Sequence, residues 1–442
     1  MSGVHAHTVA YVRDTMLDQK EPPPTSVGAI GWARQNLFSG WFNTILTIIV
    51  LGLVAFVLGN ILPWIFSPTW NAASLSECRE ILAAAGSVSD HGTSGACWGV
   101  INERWVQLLF GFYPSHLYWR PILALVLLCV ALAPILFASS VPAKLIYFSA
   151  LYPFIFPWLL WGGTVWGPLA ALAGVVIGYV VYSVLSERVN ALLGLIVGVA
   201  AALIWWFVLS GYVVDGLSSI LPIGLESVES RNFGGFMLSI TIGVVAIACS
   251  LPLGIVLALG RQSDLMIVKY LCVGFIEFIR GVPLITLLFV ASTLLNIFMP
   301  PGTNFDIILR VMIMATLFSS AYMAEVIRGG LAALPKGQYE GADSLGLDYW
   351  QAQRLVIMPQ ALKISIPGIV STFIGMFKDT TLVSIIGLLD PLGLSNAIRA
   401  DANWNGIVWE LYGFIALLFF VICFAMSRYS MYLERRLRTD RR

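Results

Sequence analysis

Long apolar runs, separated by short polar or turn-forming stretches, make up most of the chain. A helix needs about 20 mostly apolar residues to cross a bilayer. Ten such helices are expected, at 41–65, 121–140, two within 145–186, and at 191–214, 235–259, 271–298, 307–331, 366–388 and 409–427. The uncharged stretch 145–186 is too long for one helix, and Gly-Gly and Gly-Pro pairs near its middle indicate a hairpin of two. If that hairpin is re-entrant, eight spans remain.

Basic residues are divided unevenly between the two sides of this arrangement. One side carries Arg13, Lys20, Arg34, Lys144, Arg188, Arg261, Lys269, Lys336, Arg354, Lys363 and the basic tail 435–442, and the other carries Arg79, Arg104, Arg231 and Arg399. Because loops rich in Lys and Arg stay in the cytoplasm, both termini are expected there. Residues 1–40 form the expected cytoplasmic N-terminal tail, of which the first 35 are polar and expected to be disordered. Residues 67–118 form the sizeable polar loop on the outer, periplasmic side.

Composition agrees with this pattern and excludes several classes of protein. The chain has 442 residues, of which 58% are hydrophobic and 11% charged, with a net charge of +1 and a mean hydropathy of +0.85. These values are typical of an all-α polytopic membrane protein. Nothing in the sequence indicates a nucleic-acid partner, and no CxxC or His cluster indicates a metal. The four histidines lie outside the spans and no acid pair suits acid–base chemistry, so an enzymatic role finds little support.

Two of the six cysteines, Cys78 and Cys97, lie in the outer loop 67–118, whereas the other four fall in apolar runs. In an oxidising periplasm the two are able to form a disulfide across the loop. The alternative is a pair of free thiols. The sequence is compatible with either a disulfide or two free thiols.

A polar island, 334–360, interrupts the apolar pattern with the sequence LPKGQYEGADSLGLDYWQAQRLVIMPQ. A short helix is expected over 338–345. Gly346 follows at a position where a helix C-terminus often takes a positive φ, which glycine adopts without strain. The island therefore begins with a helix that ends at a defined residue.

A second short helix is expected to follow in the same island. Asp348 and Gln351 have the spacing of a capping box, in which each side chain accepts a backbone N–H of the other residue. Pro359 is expected to end the regular backbone. Two short helices at an angle would form a compact knob that enters a cleft on a partner. The alternative is an ordinary loop between membrane helices.

Charged residues inside the expected spans are costly and are therefore candidate functional residues. Glu277 and Arg280 are three residues apart on one helix, as are Glu325 and Arg328 on another, and each pair is able to form an ion pair. Such pairs serve either as structural contacts near the cytoplasmic face or as part of a gate. A cross-helix network between the two pairs would link the polar island to the helix bundle.

Lys378 and Asp379 are adjacent and fall about 12 residues into an expected span, roughly 18 Å deep at the helical rise per residue. An amino-acid zwitterion offers a carboxylate and an ammonium, and this pair of opposite charges suits both. Thr286 and Thr380 are candidates for lining the same path. The alternative role of all four residues is to hold neighbouring helices together, since small hydroxyl residues also allow helices to pack closely.

From residue 235 onward the sequence resembles the polar amino-acid group of ATP-binding-cassette (ABC) importer permeases. The matching words include LSITIGVVAIACSLPLGIVLALGRQS, FIEFIRGVPLITLLF, AYMAEVIRGGL, PKGQYEGADSLG and FKDTTLVSIIGLLD, in the correct order. The signature loop of these permeases has a Glu-Ala-Ala triplet, a glycine and a terminal Ile-x-Leu-Pro. This chain matches it at Glu340, Ala342, Gly346 and Pro359, with Gly341 in place of alanine at the second position of the triplet and Val-Ile-Met-Pro at its end. The resemblance implies that these five residues couple the permease to an ATPase.

The outer-loop words GACWGVINERW and LLFGFYPSHLYWRP make the chain similar to the larger permease of general L-amino acid importers. The resemblance implies a type I ABC-importer permease core of five helices, 231–434, preceded by a membrane extension of about five helices, 41–230. It also implies a non-catalytic subunit of the bacterial inner membrane that moves polar or general L-amino acids. Its expected partners are two ABC ATP-binding subunits, a second permease or a copy of itself, and a periplasmic amino-acid-binding protein.

No P-loop GxxxxGK[ST] occurs in the chain, so ATP is expected on the partner subunit and no cofactor on this one. The alternative function is an ion-coupled secondary amino-acid transporter, a class in which internal repeats and broken helices are common. No matching words relate the two halves of this sequence. A requirement for ATP would distinguish the two functions.

Overall fold

A computed structural model describes residues 28–86, 88–89, 92–93, 95–298 and 306–437. The expected N-terminal tail and basic C-terminal tail therefore lie in part outside the described residues. Within the described ranges the protein is helical, with two short antiparallel strand pairs, which confirms the predicted all-α class.

The helices, in chain order, are α1 (Gly28–Asn36), α2 (Trp41–Ile65), α3 (Leu75–Ala84), α4 (Gly99–Phe110), α5 (Trp119–Leu136), α6 (Ile146–Trp161), α7 (Trp166–Arg188), α8 (Ala191–Ile204), α9 (Ser210–Ile220), α10 (Gly235–Arg261), α11 (Met266–Gly281), α12 (Leu284–Phe298), α13 (Ile307–Ala332), α14 (Lys336–Ser344), α15 (Tyr349–Ala352), α16 (Met358–Asp379), α17 (Pro391–Arg399) and α18 (Trp409–Leu437). Short 3-10 segments lie at Ser115–Leu117, Ala143–Leu145, Ser230–Asn232 and Thr380–Ile386, and π-helical segments at Trp205–Leu209 and Gln353–Ile357. Strand β1 (Val88–Ser89) pairs with β2 (Gly92–Thr93), and β3 (Gly163–Thr164) with β4 (Gly224–Leu225).

Nine helical stretches within the described residues are long and apolar enough to cross a membrane, and the bent pair α11 and α12 adds a tenth. The expected hairpin over 145–186 consists of α6 and α7, each long enough to cross alone, which favours ten spans over eight. One straight helix over 271–298 was a wrong prediction, because α11 and α12 meet at 101°. The break falls at Pro283, which lacks an N–H and disfavours the helical conformation of the residue before it.

The chain divides into two compact units, one of residues up to Pro68 together with Glu80–Ala96, and one of Thr69–Arg79 together with Cys97 onward. The first unit contains α2, an uncharged and mostly apolar helix with no buried residue. An exposed apolar surface of this kind is what a lipid-facing helix presents.

In the second unit α10 and α13 pack closely along their length. A Cβ added at Gly254 of α10 would lie 2.7 Å from the side chain of Met323 in α13, so this approach requires glycine. A Cβ at Gly330 of α13 would lie 2.5 Å from the carbonyl oxygen of Ala361 in α16. These two contacts place α13 between α10 and α16, directly ahead of the polar island.

The extension from Cys97 onward shares one apolar core with the helices that follow residue 231. Trp161 stacks on Phe233 at 4.4 Å between ring centroids, and Tyr113 meets the same ring edge-on at 5.5 Å. The Tyr113 hydroxyl donates to the carbonyl oxygen of Leu160 at 2.8 Å. Tyr113 and Phe233 are buried and Trp161 is half-buried, so these stacked rings tie the extension to the helices that follow.

Candidate functional site

The polar island forms a knob of two short helices, α14 and α15. Helix α14 begins after Pro335 and ends at Ser344. Gly346 follows the C-cap Leu345 with a φ of +69°, the expected conformation that glycine adopts without strain. The Gly346 N–H donates to the carbonyl oxygen of Asp343 at 2.9 Å. The Leu347 N–H donates to that of Ala342 at 3.3 Å. These bonds satisfy carbonyl groups that the end of a helix otherwise leaves exposed.

The capping box expected at the start of α15 is present. The Asp348 carboxylate accepts the Gln351 N–H at 2.8 Å, and the Gln351 side-chain oxygen accepts the Asp348 N–H at 3.1 Å. The turn between the two short helices is therefore fixed by Gly346 on one side and Asp348 on the other.

Pro359 does not end the regular backbone, so that expectation was wrong. The chain stays helical from α15 through the π segment Gln353–Ile357 into α16, and Pro359 lies in the first turn of α16. Because the helix is continuous here, Pro359 lacks an N–H that a residue at this position would donate to the preceding turn. The wider turn of the π segment relaxes the backbone just ahead of it. The knob is thus continuous with a membrane helix.

The buried side of the knob rests on the helix bundle. Ala342 is 2% exposed. The Gln360 side-chain N–H₂ donates to the Gln338 side-chain oxygen at 2.8 Å, which ties α14 to the first turn of α16. Leu334 and Ile357, on either side of the knob, belong to one buried apolar cluster with residues of α10, α11, α13 and α16. The knob is therefore packed against four helices of the bundle.

Three large apolar side chains of the knob and of the π segment that follows it are exposed. Leu345 is 77% exposed, Trp350 70% and Leu355 64%. Glu340 and Gly341 of α14 are exposed as well. Exposed large apolar side chains within a polar segment are typical of a protein-docking surface. Sequence reasoning missed these three apolar residues, although large apolar side chains within a polar island were a readable signal.

Five charged side chains from three helices form a cluster at one end of α13. The Glu325 carboxylate accepts from Arg328 at 3.0 and 3.1 Å and from Arg261 at 2.7 Å, and Arg280 lies 3.4 Å away. Arg261 also donates to Glu277 at 2.9 Å. Among the described residues Glu277 pairs with Arg261 rather than with Arg280, so the expected pair within one helix was wrong. We call these five residues the charge cluster.

Glu325 is the centre of the charge cluster, with a side chain 16% exposed, whereas Glu277 is 54% exposed. Arg261, from the last turn of α10, bridges the two carboxylates. Sequence reasoning counted Arg261 only as a basic loop residue, because its partners lie 16 and 64 positions away along the chain. The guanidinium of Arg280 also lies over the ring of Tyr322, at 5.6 Å from its centroid.

The candidate substrate-path residues lie at the other end of α16. Lys378 and Asp379 are the last two residues of that helix rather than the middle of a span, because α16 begins at Met358 and gives way to the 3-10 segment Thr380–Ile386. Lys378 is exposed and Asp379 half-buried. Thr380 is buried and donates to the carbonyl oxygen of Phe377 at 2.7 Å.

Thr286 lies in the first turn of α12 and is exposed. The 3-10 segment Thr380–Ile386 packs against α12. The structure thus brings the two elements that carry Thr286 and Thr380 side by side.

Cys78 and Cys97 form a disulfide in the structure. Cys129, Cys249, Cys272 and Cys423 are free. Among the described residues no group of three or more His, Cys, Asp or Glu side chains is placed to hold a metal ion.

Comparison with known proteins identifies the family. Residues 250–439 match the model of the binding-protein-dependent transport system inner membrane component. The chain is 56% identical over 98% of its length, and 99% of the relative's, to the glutamate/glutamine/aspartate/asparagine transport system permease protein BztC of Rhodobacter capsulatus. It is 40% identical, over 93% of this chain and 94% of the relative, to the inner membrane amino-acid ABC transporter permease protein YhdY of Escherichia coli.

Among solved structures, a chain of an amino acid ABC transporter crystallised with histidines is 32% identical over 46% of this chain and 91% of its own length, with a TM-score of 0.41. The two full-length relatives extend across both the extension and the helices after residue 231. The protein is therefore a multi-pass inner membrane permease of the binding-protein-dependent transport family, one of the amino-acid ABC transporter permeases.

Proposed function

We propose that this permease is driven through its knob, α14 and α15, by an ABC ATP-binding subunit that docks on the cytoplasmic side. The exposed side chains of Leu345, Trp350 and Leu355, next to a buried face that packs into the bundle, carry this proposal. Glu340, Gly341, Ala342, Gly346 and Pro359 shape the knob, Ala342 from the buried side and Gly346 from the turn. The subunit itself is non-catalytic and binds no cofactor, with ATP held by the partner.

The charge cluster passes the motion of the knob to the bundle. Glu325 and Arg328 lie in the last two turns of α13, immediately ahead of α14. Through Arg261 and Arg280 the Glu325 carboxylate joins α13 to α10 and α11. Charge-assisted hydrogen bonds of this kind hold helix ends in one relative position. The ends of α10, α11 and α13 therefore move together when the knob is displaced.

The substrates are acidic amino acids and their amides. The support is the 56% identity to a relative named for glutamate, glutamine, aspartate and asparagine transport. The carboxylate and ammonium of such a substrate are complementary to Lys378 and Asp379, and the hydroxyl groups of Thr286 and Thr380 supply neutral hydrogen bonds on the same path. These four residues are proposed to line the substrate path.

The proposed orientation places both termini and the knob in the cytoplasm and residues 67–118 in the periplasm, as the distribution of basic residues indicates. A core over 231–434 then pairs with a second permease, in a heterodimer because the extension makes this subunit larger than a minimal permease. A periplasmic amino-acid-binding protein delivers substrate on the outer side.

Reconstitution of the assembled transporter in liposomes tests this proposal. Uptake of radiolabelled glutamate is expected to require ATP on the cytoplasmic side, and Trp350→Asp is expected to abolish both uptake and co-purification of the ATP-binding subunit. The matched control is Trp70→Asp, at another exposed tryptophan, in the outer loop. Uptake by this chain alone, driven by an ion gradient without ATP, would contradict the proposal and favour a secondary transporter.

A further inference from the structure

The loop between α17 and α18 is held by the extension through three polar contacts. The Leu75 N–H, at the start of α3, donates to the carbonyl oxygen of Asn403 at 2.8 Å. Arg104 of α4 forms an ion pair with Asp401 at 2.9 Å. Its neighbour Glu103 accepts the indole N–H of Trp404 at 2.9 Å. Trp404 is 0% exposed, whereas the side chain of Glu103 is 41% exposed, so this hydrogen bond is partly buried.

A fourth contact joins this loop to the disulfide. The Cys97 N–H donates to the carboxylate of Glu410, which is 8% exposed at the start of α18. Cys97 is bonded to Cys78 of α3. The disulfide thus connects α3, whose Leu75 is hydrogen-bonded to Asn403, to Cys97, whose N–H is hydrogen-bonded to Glu410. We call Leu75, Cys78, Cys97, Glu103 and Arg104 the clasp.

The chain just ahead of α17, at Leu389, is also fixed by backbone contacts. The Gly235 N–H donates to the carbonyl oxygen of Leu389 at 2.8 Å, and Gly234 forms a parallel bridge with Leu389. Gly111, at the end of α4, approaches Gly234 so closely that a Cβ on Gly111 would lie 2.5 Å from the Gly234 Cα. Residues 389–410, here named the outer cap, are therefore held at both ends.

The outer cap follows the proposed substrate-path residues directly along the chain. Only the 3-10 segment Thr380–Ile386 and a short turn separate Asp379 from its first residue. Helix α17, the middle of the outer cap, packs against that 3-10 segment and against α4 and α10. Any shift of the outer cap is therefore transmitted to the end of α16.

We infer that the outer cap gates the outer end of the substrate path and that the clasp sets its resting position. This inference rests on the proposed function, and it assigns the extension a positioning role in transport. When a clasp contact is lost, the outer cap is free to open even if no periplasmic binding protein is bound. ATP hydrolysis then proceeds without transport, so the ratio of glutamate imported to ATP hydrolysed falls.

Charge exchange across the ion pair Arg104–Asp401 tests the inference in the reconstituted transporter. Arg104→Glu is expected to lower the ratio of import to hydrolysis by about two- to fivefold, the population change that one partly exposed ion pair supports. The double variant Arg104→Glu, Asp401→Arg is expected to restore the ratio, because it recreates the pair with opposite polarity. The control is Arg79→Glu, an exposed position beside Cys78 in α3.

Thermal stability of each assembled complex is measured in parallel, since a purely structural role would lower stability and leave the ratio unchanged. An unchanged ratio in Arg104→Glu, or failure of the double variant to restore it, would overturn the inference. Absence of ATP-dependent glutamate uptake by the wild-type transporter would contradict the proposed function instead. The two failures are therefore distinguishable.

Discussion

The guanidinium of Arg261 lies 2.7 Å from the carboxylate of Glu325, and this contact joins the last turn of α10 to α13 about two turns before the end of that helix. The side chain of Arg261 is 24% exposed and that of Glu325 16%. A shielded ion pair of this kind is costly to break from one side, because the remaining charge keeps its desolvation cost. Removal of either side chain is therefore expected to weaken the junction between α10 and α13.

Glu325→Gln is expected to lower the free energy of unfolding by about 1–3 kcal/mol, because three arginines lose their shared carboxylate. It is also expected to leave ATP hydrolysis intact while glutamate uptake falls, since the knob still docks but no longer moves α10 and α11 with α13. Denaturant unfolding in detergent and uptake in liposomes provide the two measurements.

Glu277→Gln is the matched control for this variant, since its side chain is 54% exposed and contacts Arg261 alone among the pairs of the charge cluster. Its effect on stability is expected to stay below about 1 kcal/mol. Equal effects of the two substitutions on uptake would show that Glu325 is not the centre of the cluster.

Two glycines of the knob are expected to respond in opposite directions to alanine. Gly346→Ala forces a side chain into a positive φ of +69° and is expected to cost about 1–2 kcal/mol. A Cβ at Gly341 meets nothing within 4 Å, so Gly341→Ala is expected to stabilise α14 by roughly 1 kcal/mol. Thermal unfolding of the two variants in one detergent measures both effects, and a gain in stability from Gly346→Ala would refute the assigned turn.

Asp390, which caps α17 by accepting the N–H groups of Leu392 and Gly393, confers a pH dependence on the outer cap. Its side chain is buried, and burial raises its pKa from 3.8 to about 6 although the two N–H donors act in the opposite direction. Between pH 3.8 and about 6 the folded protein binds more protons at Asp390 than the unfolded chain does. Protonated Asp390 therefore stabilises the fold in full below pH 3.8, and this stabilisation is lost as the pH rises through about 6.

Asp390→Asn keeps the cap but removes the titrating group, because an asparagine side chain also caps a helix. The wild type is expected to gain stability relative to this variant when the pH falls from 7 to 4.5. Unfolding midpoints at a series of pH values measure the difference. A constant difference across that range would contradict the raised pKa.

The knob was largely predictable from sequence. Four of the five members of the charge cluster were also indicated, but Arg261 and its contact with Glu277 were not. Gly346 and the Asp348–Gln351 capping box act within one turn of backbone, so residue type and spacing suffice to predict them. The bend at Pro283 was also a local signal, but the apolar run on both sides of it favoured one long span. Arg261 pairs with side chains far away along the chain, and no local pattern reveals such partners.

The disulfide makes a separate, measurable contribution to stability. Cys78 and Cys97 are separated by 19 positions, and closing a loop of that length is worth about 3 kcal/mol in the chain-entropy account. The double variant Cys78→Ser, Cys97→Ser is expected to lose about that amount, measured by unfolding without reductant. Reductant is expected to lower the stability of the wild type and leave the variant unchanged. Equal sensitivity of both proteins to reductant would contradict this assignment.

Photo-crosslinking from the tip of the knob tests the central claim most directly. A photoreactive amino acid replaces Leu345, which is 77% exposed, and a second sample carries it in place of Trp70 of the outer loop, which is 52% exposed. Irradiation of the assembled transporter in native membranes is predicted to join position 345, and not position 70, to the ATP-binding subunit. Capture of a periplasmic protein from position 345, or failure to capture any ATP-binding subunit there, would contradict the account.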